Sequence, residues 1–465
     1  MCGSHKQGAS IDAGRRPLGI NTKSSSPSNA EKNTRRERYE LLRTARRIYA
    51  YKGKREGLEY VLNYHKTAKC KHVLIADGVD VLKSKEHSKA FYKGLTVCGR
   101  IWTCPVCSAL IQERRRHEVS AAMDYFYAQP NKQAAMVTLT FSHSFGDDLS
   151  TLLAQQSKAL TKLRSGKAWE KFKAVFGFEG LIRSLELTFG DNGYHPHTHE
   201  LWFIDKRINR ARLNAYLDAK YRAKKHHARR DELKAMTPQK CFIALLLERW
   251  EACCAKVGLL GDKVDVFRKR AVDVKFNAKN SDYLAKQDSS SHWGADREIA
   301  KASTKQGRKK GMHPFMFLQK YEETGDTIWA YRWLEYTKAM HLKAQMYWSA
   351  GLKELVGIAD KDDEEIAVEM DDQADHVAKL NKQQWRKVAN NGKAWLILDV
   401  AEVATEKAVL AVVDNLPDAP SVEESIENVQ PEFKEFWCKK GKDLVSDELV
   451  EDLVKDLERY RRKRA

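Results

Sequence analysis

The middle of the chain alternates apolar and polar residues in a way that predicts β-strands. Residues 135–141 are rich in β-branched side chains, and residues 181–189 place Glu186 on one face with the other even-numbered positions. The sequence Gly-Asp-Asn-Gly at 190–193 is a turn signal, and a further strand follows from about 197 to 203. We therefore expect the second and third of these strands to form a hairpin.

Apolar residues at helical spacing flank these strands. They predict an interrupted helix over residues 35–64, a helix over 110–127 and a strongly basic helical segment over 206–234. The expected fold is α+β with a central antiparallel sheet. The predicted regions are a disordered basic arm (1–35), a helical, cysteine-containing module (36–130), a domain with the sheet (131–355), and an acidic, mostly helical C-terminal region (356–465) with a linker near 414–430.

Composition narrows the class of protein. The 465 residues include 82 Lys and Arg against 63 Asp and Glu, which gives a formal net charge of +19. This excess favours a polyanionic partner, because basic side chains that displace counterions from nucleic acid stabilise the complex. The longest apolar runs, such as residues 242–247, are far shorter than the roughly 18 residues of a membrane span. We expect no membrane association and, without an apolar signal segment, a cytoplasmic protein.

The sharpest chemical motif is the alternating histidine series His195, His197 and His199 in the third strand. Alternate side chains of a strand share a face and lie about 6.5 to 7 Å apart, so His197 and His199 can converge on one cation. The alternative is a set of polar histidines on an edge strand, but they would destabilise an otherwise apolar strand without a ligand. Glu186 on the partner strand is the carboxylate expected to complete the site, whereas the role of His195 is left open.

Two imidazoles and one carboxylate leave coordination positions open for a substrate, as a catalytic metal site requires. A mixed set of nitrogen and oxygen ligands suits Mn²⁺ or Mg²⁺ bound together with a phosphate. The sequence does not select between these cations.

Closely spaced cysteines predict a second metal site. Cys98, Cys104 and Cys107 lie within ten residues, and Cys70 is the expected fourth ligand across an insert, with His72 and His117 as competitors. Four thiolates form a closed, structural Zn²⁺ site, which suits a cytoplasmic chain better than a disulfide framework. Cys241, Cys253 and Cys254 lie in an apolar helical pattern and are expected to be core residues.

The order of the motifs resembles a known family. Residues 136–140 (Met-Val-Thr-Leu-Thr) with His143, then His197-Thr-His199, then Tyr283-Leu-Ala-Lys286 are similar to the three motifs of plasmid rolling-circle replication initiators, which belong to the His-hydrophobe-His (HUH) endonuclease superfamily. Thr198 stands where the family usually has a hydrophobic residue. The similarity spans roughly residues 65–370. It also includes the Cys98–Cys107 segment, Trp293-Gly294 and residues 348–352.

The resemblance implies a sheet of HUH type, an N-terminal zinc-binding module and a nickase that acts through a covalent phosphotyrosine. Tyr283 would be the nucleophile, and Lys286, one helical turn later, would stabilise the phenolate or the phosphate. The chain lacks a nucleotide-binding P-loop, as expected when rejoining needs no ATP. Some relatives carry a Glu one turn before the tyrosine. Here that position is Lys279, and Asp282 and Glu298 are weak candidates for the group that ends the cycle.

Basic clusters are candidate DNA contacts. They are Arg222, Lys224, Lys225, Arg229 and Arg230 in the basic segment, and Arg308, Lys309 and Lys310 after the tyrosine. The alternative is an ordinary solvated face, although Tyr216 and Tyr221 are interleaved with the cations. The expected partners are the double-strand origin and its exposed single strand, with a host helicase as a further candidate. Competing functions are a relaxase or transposase with the same chemistry, and a non-catalytic zinc-containing DNA-binding regulator.

Overall fold

The computed structural model describes residues 29–55, 58–63, 65–278, 311–368 and 373–418. Its strands are β1 (Ala50–Arg55), β2 (Leu58–Asn63), β3 (Val79–Ser84), β4 (Ala90–Lys93), β5 (Lys132–Leu139), β6 (Gly180–Gly190), β7 (Gly193–Asp205), β8 (Val272–Lys275), β9 (Met346–Trp348) and β10 (Ala374–Leu380). Within the described residues, no helix is long and apolar enough to span a membrane.

Helices surround these strands. They are α1 (Asn29–Ile48), α2 (Lys66–Lys69), α3 (Pro105–Tyr127), α4 (Leu149–Leu163), α5 (Lys167–Phe176), α6 (Arg210–Lys220), α7 (His227–Ala235), α8 (Pro238–Ala255), α9 (Val264–Arg270), α10 (Phe315–Thr324), α11 (Thr327–Ala339), α12 (Leu352–Leu355), α13 (Asp363–Val368), α14 (Lys382–Asn390), α15 (Ala394–Val403) and α16 (Glu406–Asp414). The mixture of antiparallel sheets and helices confirms the predicted α+β class.

The central sheet has five antiparallel strands in the order β8-β5-β7-β6-β9. The predicted hairpin of β6 and β7 is confirmed, with Gly190 paired to Gly193 at its turn and Glu186 paired to His197. The turn needs glycine, because Gly193 has a φ of +80° and an added Cβ would lie 2.9 Å from Cα of Phe145. This register decides which side chains of the two strands share a face.

The long strand β7 is buried on both faces, because its second half reads Leu-Trp-Phe-Ile. Trp202 and Ile204 pack against α4, α5 and α8 in one apolar cluster. Leu201 and Phe203 lie on the other face under α3, where the rings of Phe126 and Phe203 stack 3.9 Å apart. The histidines of β7 share this second face but precede the part that α3 covers.

Two predictions about the N-terminal segment are wrong. The helix α1 begins at Asn29, so the arm predicted over residues 1–35 extends too far, and its first 28 residues lie outside the described part of the chain. Residues 50–63 form the β1–β2 hairpin rather than a helix. Leu58, Tyr60 and Leu62 alternate with period two, and short apolar runs of this kind do not distinguish strand from helix by pattern alone.

A second, smaller sheet joins distant parts of the sequence. The β3–β4 hairpin lies in the insert between Cys70 and Cys98, and β10 pairs with β3. Helices α14 to α16 cover this sheet, with Tyr92 and Trp385 in edge-to-face contact at 5.1 Å. The sequence placed the insert and the C-terminal region in different units, whereas here they share one apolar core.

The basic segment predicted as helical over residues 206–234 is broken. Helix α6 ends at Lys220, a 3₁₀ turn covers Lys224–His226, and α7 begins at His227. Tyr221 leaves helical geometry with a ψ of 37°, and its backbone N–H donates to the carbonyl of Leu217. The break creates a short exposed connection that carries three of the predicted DNA-binding cations.

Candidate metal centre and cysteine cluster

The hairpin register brings Glu186, His197 and His199 together. Glu186 Oε2 lies 3.3 Å from Nε2 of His197 and 3.3 Å from Nε2 of His199. One ligand atom from each residue can be chosen so that all lie within 4.8 Å of one another. Neighbouring ligands of an octahedral cation with 2.1 Å bonds would be about 3.0 Å apart, so the group is close to the size of a cation site.

The neighbours of the two imidazoles orient them towards Glu186. Nδ1 of His197 donates to the carbonyl of His195 at 3.1 Å, and Nδ1 of His199 lies 2.9 Å from Oγ1 of Thr138. Thr138 belongs to β5, which pairs with β7 at this position. A hydrogen bond at Nδ1 fixes the ring and leaves Nε2 as the ligand atom.

The carboxylate of Glu186 is held in its ionised form. Burial acts to raise its pKa, but the hydrogen bonds and charges of His197 and His199 outweigh burial and leave the pKa below the usual value. A carboxylate oxygen beside two imidazole nitrogens is a ligand set that fits Mn²⁺ or Mg²⁺.

Two further histidines extend this group. Nε2 of His143, in the loop after β5, lies 2.8 Å from Nδ1 of His195, so one of the two rings donates to the other. Burial lowers the pKa of His143, and burial with the charge of His197 lowers the pKa of His195 to about 3. Both rings are therefore neutral near pH 7, and His195 supports the position of its neighbours rather than joining the Glu186 group.

His313 is a neighbour of the site that the sequence analysis missed. Met312 pairs with Phe189 near the end of β6, and the following residue lies close enough to Glu186 to interact with its charge. Burial lowers the pKa of His313 well below its usual value, although the charge of Glu186 acts in the opposite direction. It is an isolated histidine far along the chain, so only a motif or a structure could have connected it with the hairpin.

The four predicted cysteines meet in one buried cluster. Sγ of Cys70 is 3.5 Å from Sγ of Cys107 and 3.7 Å from that of Cys104, and Cys98 is 3.7 Å from Cys107. Tetrahedral Zn²⁺ with bonds of 2.3 Å places its sulfur ligands about 3.8 Å apart, whereas a disulfide needs about 2.05 Å. The cluster therefore fits a closed Zn²⁺ site.

Helix ends hold two of these thiols in place. Cys70 caps the C-terminus of α2, and its carbonyl accepts from Arg46 at 3.1 Å. Cys104 caps the N-terminus of α3, where Pro105 occupies the first turn. Burial raises the pKa of Cys104, whereas hydrogen bonds from the other thiols lower the pKa of Cys107. His117, a competing ligand, is instead exposed beside Glu113.

The predicted DNA-binding cations divide into two groups. Arg222, Lys224 and Lys225 are exposed at the break between α6 and α7. Arg229 instead pairs with Glu248 and Glu232, and Arg230 pairs with Asp231. Tyr283, Lys286, Arg308, Lys309, Lys310, Lys279, Asp282 and Glu298 lie outside the described residues.

Comparisons with known proteins agree with the motifs. Residues 91–222 match a family model described as replication protein. The chain is 26% identical over 315 residues to a protein named Protein rep from Streptomyces lividans, across 58% of this chain and 66% of that protein. It is 32% identical over 139 residues to a protein named Neomycin resistance protein from Streptomyces cyanogenus, across 24% of this chain and 32% of that protein.

The predicted resemblance to plasmid replication initiators is confirmed by the first two of these matches. The family match includes Cys98, Cys104, Cys107 and the Glu186, His197 and His199 group. The aligned regions span less than two thirds of either curated relative. No solved structure matches the chain.

Proposed function

We propose that this protein, whose central region resembles plasmid replication initiators, starts rolling-circle replication by nicking one strand of its origin. The observation that carries the proposal is the convergence of Glu186, His197 and His199 on adjacent strands inside the region that matches replication proteins. A non-catalytic regulator would not require an ionised carboxylate aimed at two ring nitrogens. A relaxase or transposase would share this chemistry, and it would be distinguished by failing to replicate a plasmid that carries the cognate origin.

The cation site would act on the scissile phosphate. When bound by Glu186, His197 and His199, Mn²⁺ or Mg²⁺ supplies Lewis acidity that makes a phosphate more electrophilic. His195 and Thr138 keep the two imidazoles in orientation through their Nδ1 atoms. The carboxylate is half-buried among these rings, and the lower local polarity strengthens its interaction with a cation.

The covalent step is assigned to Tyr283. Its phenolic oxygen attacks phosphorus, the bond from phosphorus to the 3′ oxygen breaks, and that oxygen takes up a proton to become a free 3′-hydroxyl that primes synthesis. A free tyrosine has a pKa near 10, so phenolate character needs a neighbouring cation, a role that suits Lys286. The phosphotyrosine ester replaces one phosphodiester, which allows rejoining without ATP.

The cysteine cluster and the basic surfaces have supporting roles in this proposal. Zn²⁺ bound by Cys70, Cys98, Cys104 and Cys107 would fix α2 and the start of α3, the helix that packs on the sheet face carrying the histidines. Arg222, Lys224 and Lys225 would contact phosphates of the origin. A host helicase would then unwind the duplex from the nick.

The test is a cleavage assay on single-stranded oligonucleotides from the origin of the plasmid that encodes the protein. With Mn²⁺, the unmodified chain should form a covalent adduct, and peptide mass spectrometry should locate the modification on Tyr283. Tyr283→Phe should bind the oligonucleotide as before and form no adduct, because it lacks only the attacking oxygen. Tyr125→Phe, at an exposed tyrosine of α3, is the matched control and should react normally. An adduct formed by the Tyr283→Phe chain would place the nucleophile elsewhere.

A further inference from the structure

We propose that Phe145 is the stacking platform for a nucleobase of the single strand that reaches the metal centre. This subsite rests on the proposed function and adds to it a positioning contact for the DNA. Single exposed apolar residues are common on proteins and need no explanation by themselves. The case for Phe145 therefore depends on its exposure together with its location, its rigid support and its charged neighbour.

The side chain of Phe145 is 58% exposed, whereas most other phenylalanines in the described residues are buried. It lies in the loop after β5, two residues beyond His143, whose ring contacts His195. The ring lies at the turn end of the β6–β7 hairpin, 6.2 Å from the ring of Phe189, and its exposed area is hydrophobic surface that a planar apolar ligand can cover.

A row of imidazoles connects this loop with the metal centre. The ring centroids of His143 and His195 are 4.6 Å apart, those of His195 and His197 are 5.0 Å apart, and those of His197 and His199 are 5.1 Å apart. A strand whose phosphate is bound by a cation at Glu186, His197 and His199 would therefore have flanking nucleotides within reach of the loop. Successive nucleotides of one strand advance about 3.4 Å in duplex DNA and further when the strand is extended.

The loop that carries Phe145 is held on both sides. The Ser144 N–H donates to Oδ2 of Asp147 at 2.7 Å, and Nδ1 of His143 donates to the carbonyl of Asn192 at 3.0 Å. Gly193 packs against the backbone of Phe145 so closely that a Cβ would be 2.9 Å from its Cα. A platform fixed in this way loses little conformational entropy when a base stacks on it.

A cation lies beside the platform. The guanidinium carbon of Arg332 is 5.7 Å from the ring centroid of Phe145, and it also lies over Phe189 and Tyr194. Glu335 pairs with Arg332 at 2.8 Å and holds it in place. Single-strand binding proteins combine aromatic side chains with arginines that add cation–π contributions, with a base on the ring. Because Arg332 is paired with Glu335, it supports the ring of Phe145 rather than supplying a free charge for a phosphate. The ligand class is any nucleobase, because every base presents a π-face.

The test is a double-mutant cycle between protein and DNA, with binding as its readout. The full chain carries Tyr283→Phe, no Mn²⁺ or Mg²⁺ is added, and affinity for the single-stranded oligonucleotide is measured by fluorescence anisotropy. One nucleotide at a time is replaced by an abasic site. At one position we expect affinity to fall by about fivefold or more, since stacking of one base contributes about 1 to 3 kcal/mol. Phe145→Ala should weaken binding by the same factor and make that abasic substitution silent.

Variants of Phe145 separate stacking from loop stability. Phe145→Trp should bind at least as tightly as the parent, whereas Phe145→Leu should behave like Phe145→Ala because it keeps apolar volume but has no ring. Tyr125→Ala, at another partly exposed aromatic, is the control and should leave the abasic scan unchanged. Two results would overturn the proposal. One is an affinity of Phe145→Leu equal to that of the parent. The other is that, at every position, the loss of affinity from the abasic site and the loss from Phe145→Ala are independent, so that their fold-changes multiply.

This design separates the subsite from the nicking function. If Tyr283 is not the nucleophile, the adduct assay fails while the binding cycle still reports on Phe145. If the adduct forms and the cycle shows no coupling, the nicking proposal stands and the stacking proposal is wrong.

Discussion

Glu186 and His197 are direct partners in the β6–β7 hairpin, and their side chains meet with Oε2 of the glutamate 3.3 Å from Nε2 of the histidine. Side chains alternate between faces along a strand, so a slip of one residue in this register would move Glu186 to the opposite face of the sheet. The turn at Gly190 and Gly193 therefore determines the candidate metal centre as well as the hairpin.

The metal centre can be tested at its carboxylate. Glu186→Gln keeps the shape of the side chain but removes the negative charge that would bind a divalent cation. We expect nicking to fall by about 100-fold or more, as for a lost transition-state charge interaction, with no loss of fold. Rates with Mn²⁺ and Mg²⁺ and the circular dichroism spectrum are the measurements.

Glu179→Gln provides the matched control for this variant. Glu179 lies just before β6 and pairs with Lys132 at the far end of the strand from the turn. It should retain the parental cation dependence. The simultaneous change of His197 and His199 to Ala should resemble Glu186→Gln, and full activity of that double variant would remove the cation from the proposal.

The hairpin and the convergence of Glu186, His197 and His199 could be predicted because their signals are local. The turn Gly-Asp-Asn-Gly sets the register, and the alternation of His195, His197 and His199 shows which face they share. The spacing of Cys98, Cys104 and Cys107 is also local, and their convergence with Cys70 agrees with it.

Features that depend on long-range packing were not predictable in this way. β10 joins the sheet of β3 and β4 from nearly 300 positions away, as in the pairing of Ala374 with Ser84, and no local pattern specifies that partner. His313 lies near Glu186 through the pairing of Met312 with Phe189. Phe145 was missed because its exposure depends on how its loop packs against Gly193.

A second prediction concerns the glycine of the turn. Gly193→Ala places a Cβ at a φ of +80° and against the Phe145 backbone, so it should destabilise the protein by about 1 to 2 kcal/mol or more. It should also weaken nicking, because both the register and the loop would shift. Gly146→Ala is the control, since a Cβ there meets nothing within 4 Å. Equal melting temperatures for the two variants would contradict the structural role of the turn.

A third prediction uses the half-buried imidazole of His65. Its ring stacks on Tyr49 at 4.3 Å, and its Nδ1 accepts from the Thr67 N–H at 3.2 Å. Burial, together with the charges of Arg100 and His341, lowers the pKa of His65 to about 4. The unfolded chain therefore binds a proton between about pH 6.5 and pH 4 that the folded chain does not bind.

The free energy of unfolding should consequently fall as the pH decreases through this range. Above the range, the stabilising contribution of the neutral His65 should be complete. The contribution of His65 amounts to about 2 kcal/mol between about pH 7.5 and pH 5. His65→Asn keeps a helix-capping acceptor but cannot titrate, so the difference in unfolding free energy between the two pH values should shrink by that amount. If the unfolding free energy changes equally between the two pH values in the parent and in His65→Asn, the pKa of His65 is the same in the folded and unfolded chains.

A fourth prediction separates the cysteine cluster from ordinary core cysteines. The purified chain should contain about one equivalent of zinc, and brief EDTA treatment should stop nicking reversibly while the zinc stays bound. Cys104→Ala should lose zinc and solubility. Cys254→Ala, at a cysteine buried in the apolar core of α8, should keep zinc and lose only packing stability. Elemental analysis measures the zinc content of each variant. A folded, active chain with less than half an equivalent of zinc would exclude a structural zinc site at the four cysteines.

The last prediction concerns which cations contact DNA. Lys224 and Lys225 are exposed beside the break after α6, whereas Arg229 already pairs with Glu248 and Glu232. A cation that displaces counterions from DNA contributes about 0.7 to 0.9 to the slope of log affinity against log salt concentration. The double change of Lys224 and Lys225 to Ala should therefore lower the slope by about 1.4 to 1.8. Arg229→Ala should leave the slope nearly unchanged and reduce stability instead, because its charge is already neutralised by carboxylates. Equal changes of slope in the two variants, measured by titration across salt concentrations, would show that the carboxylates do not hold Arg229 away from DNA.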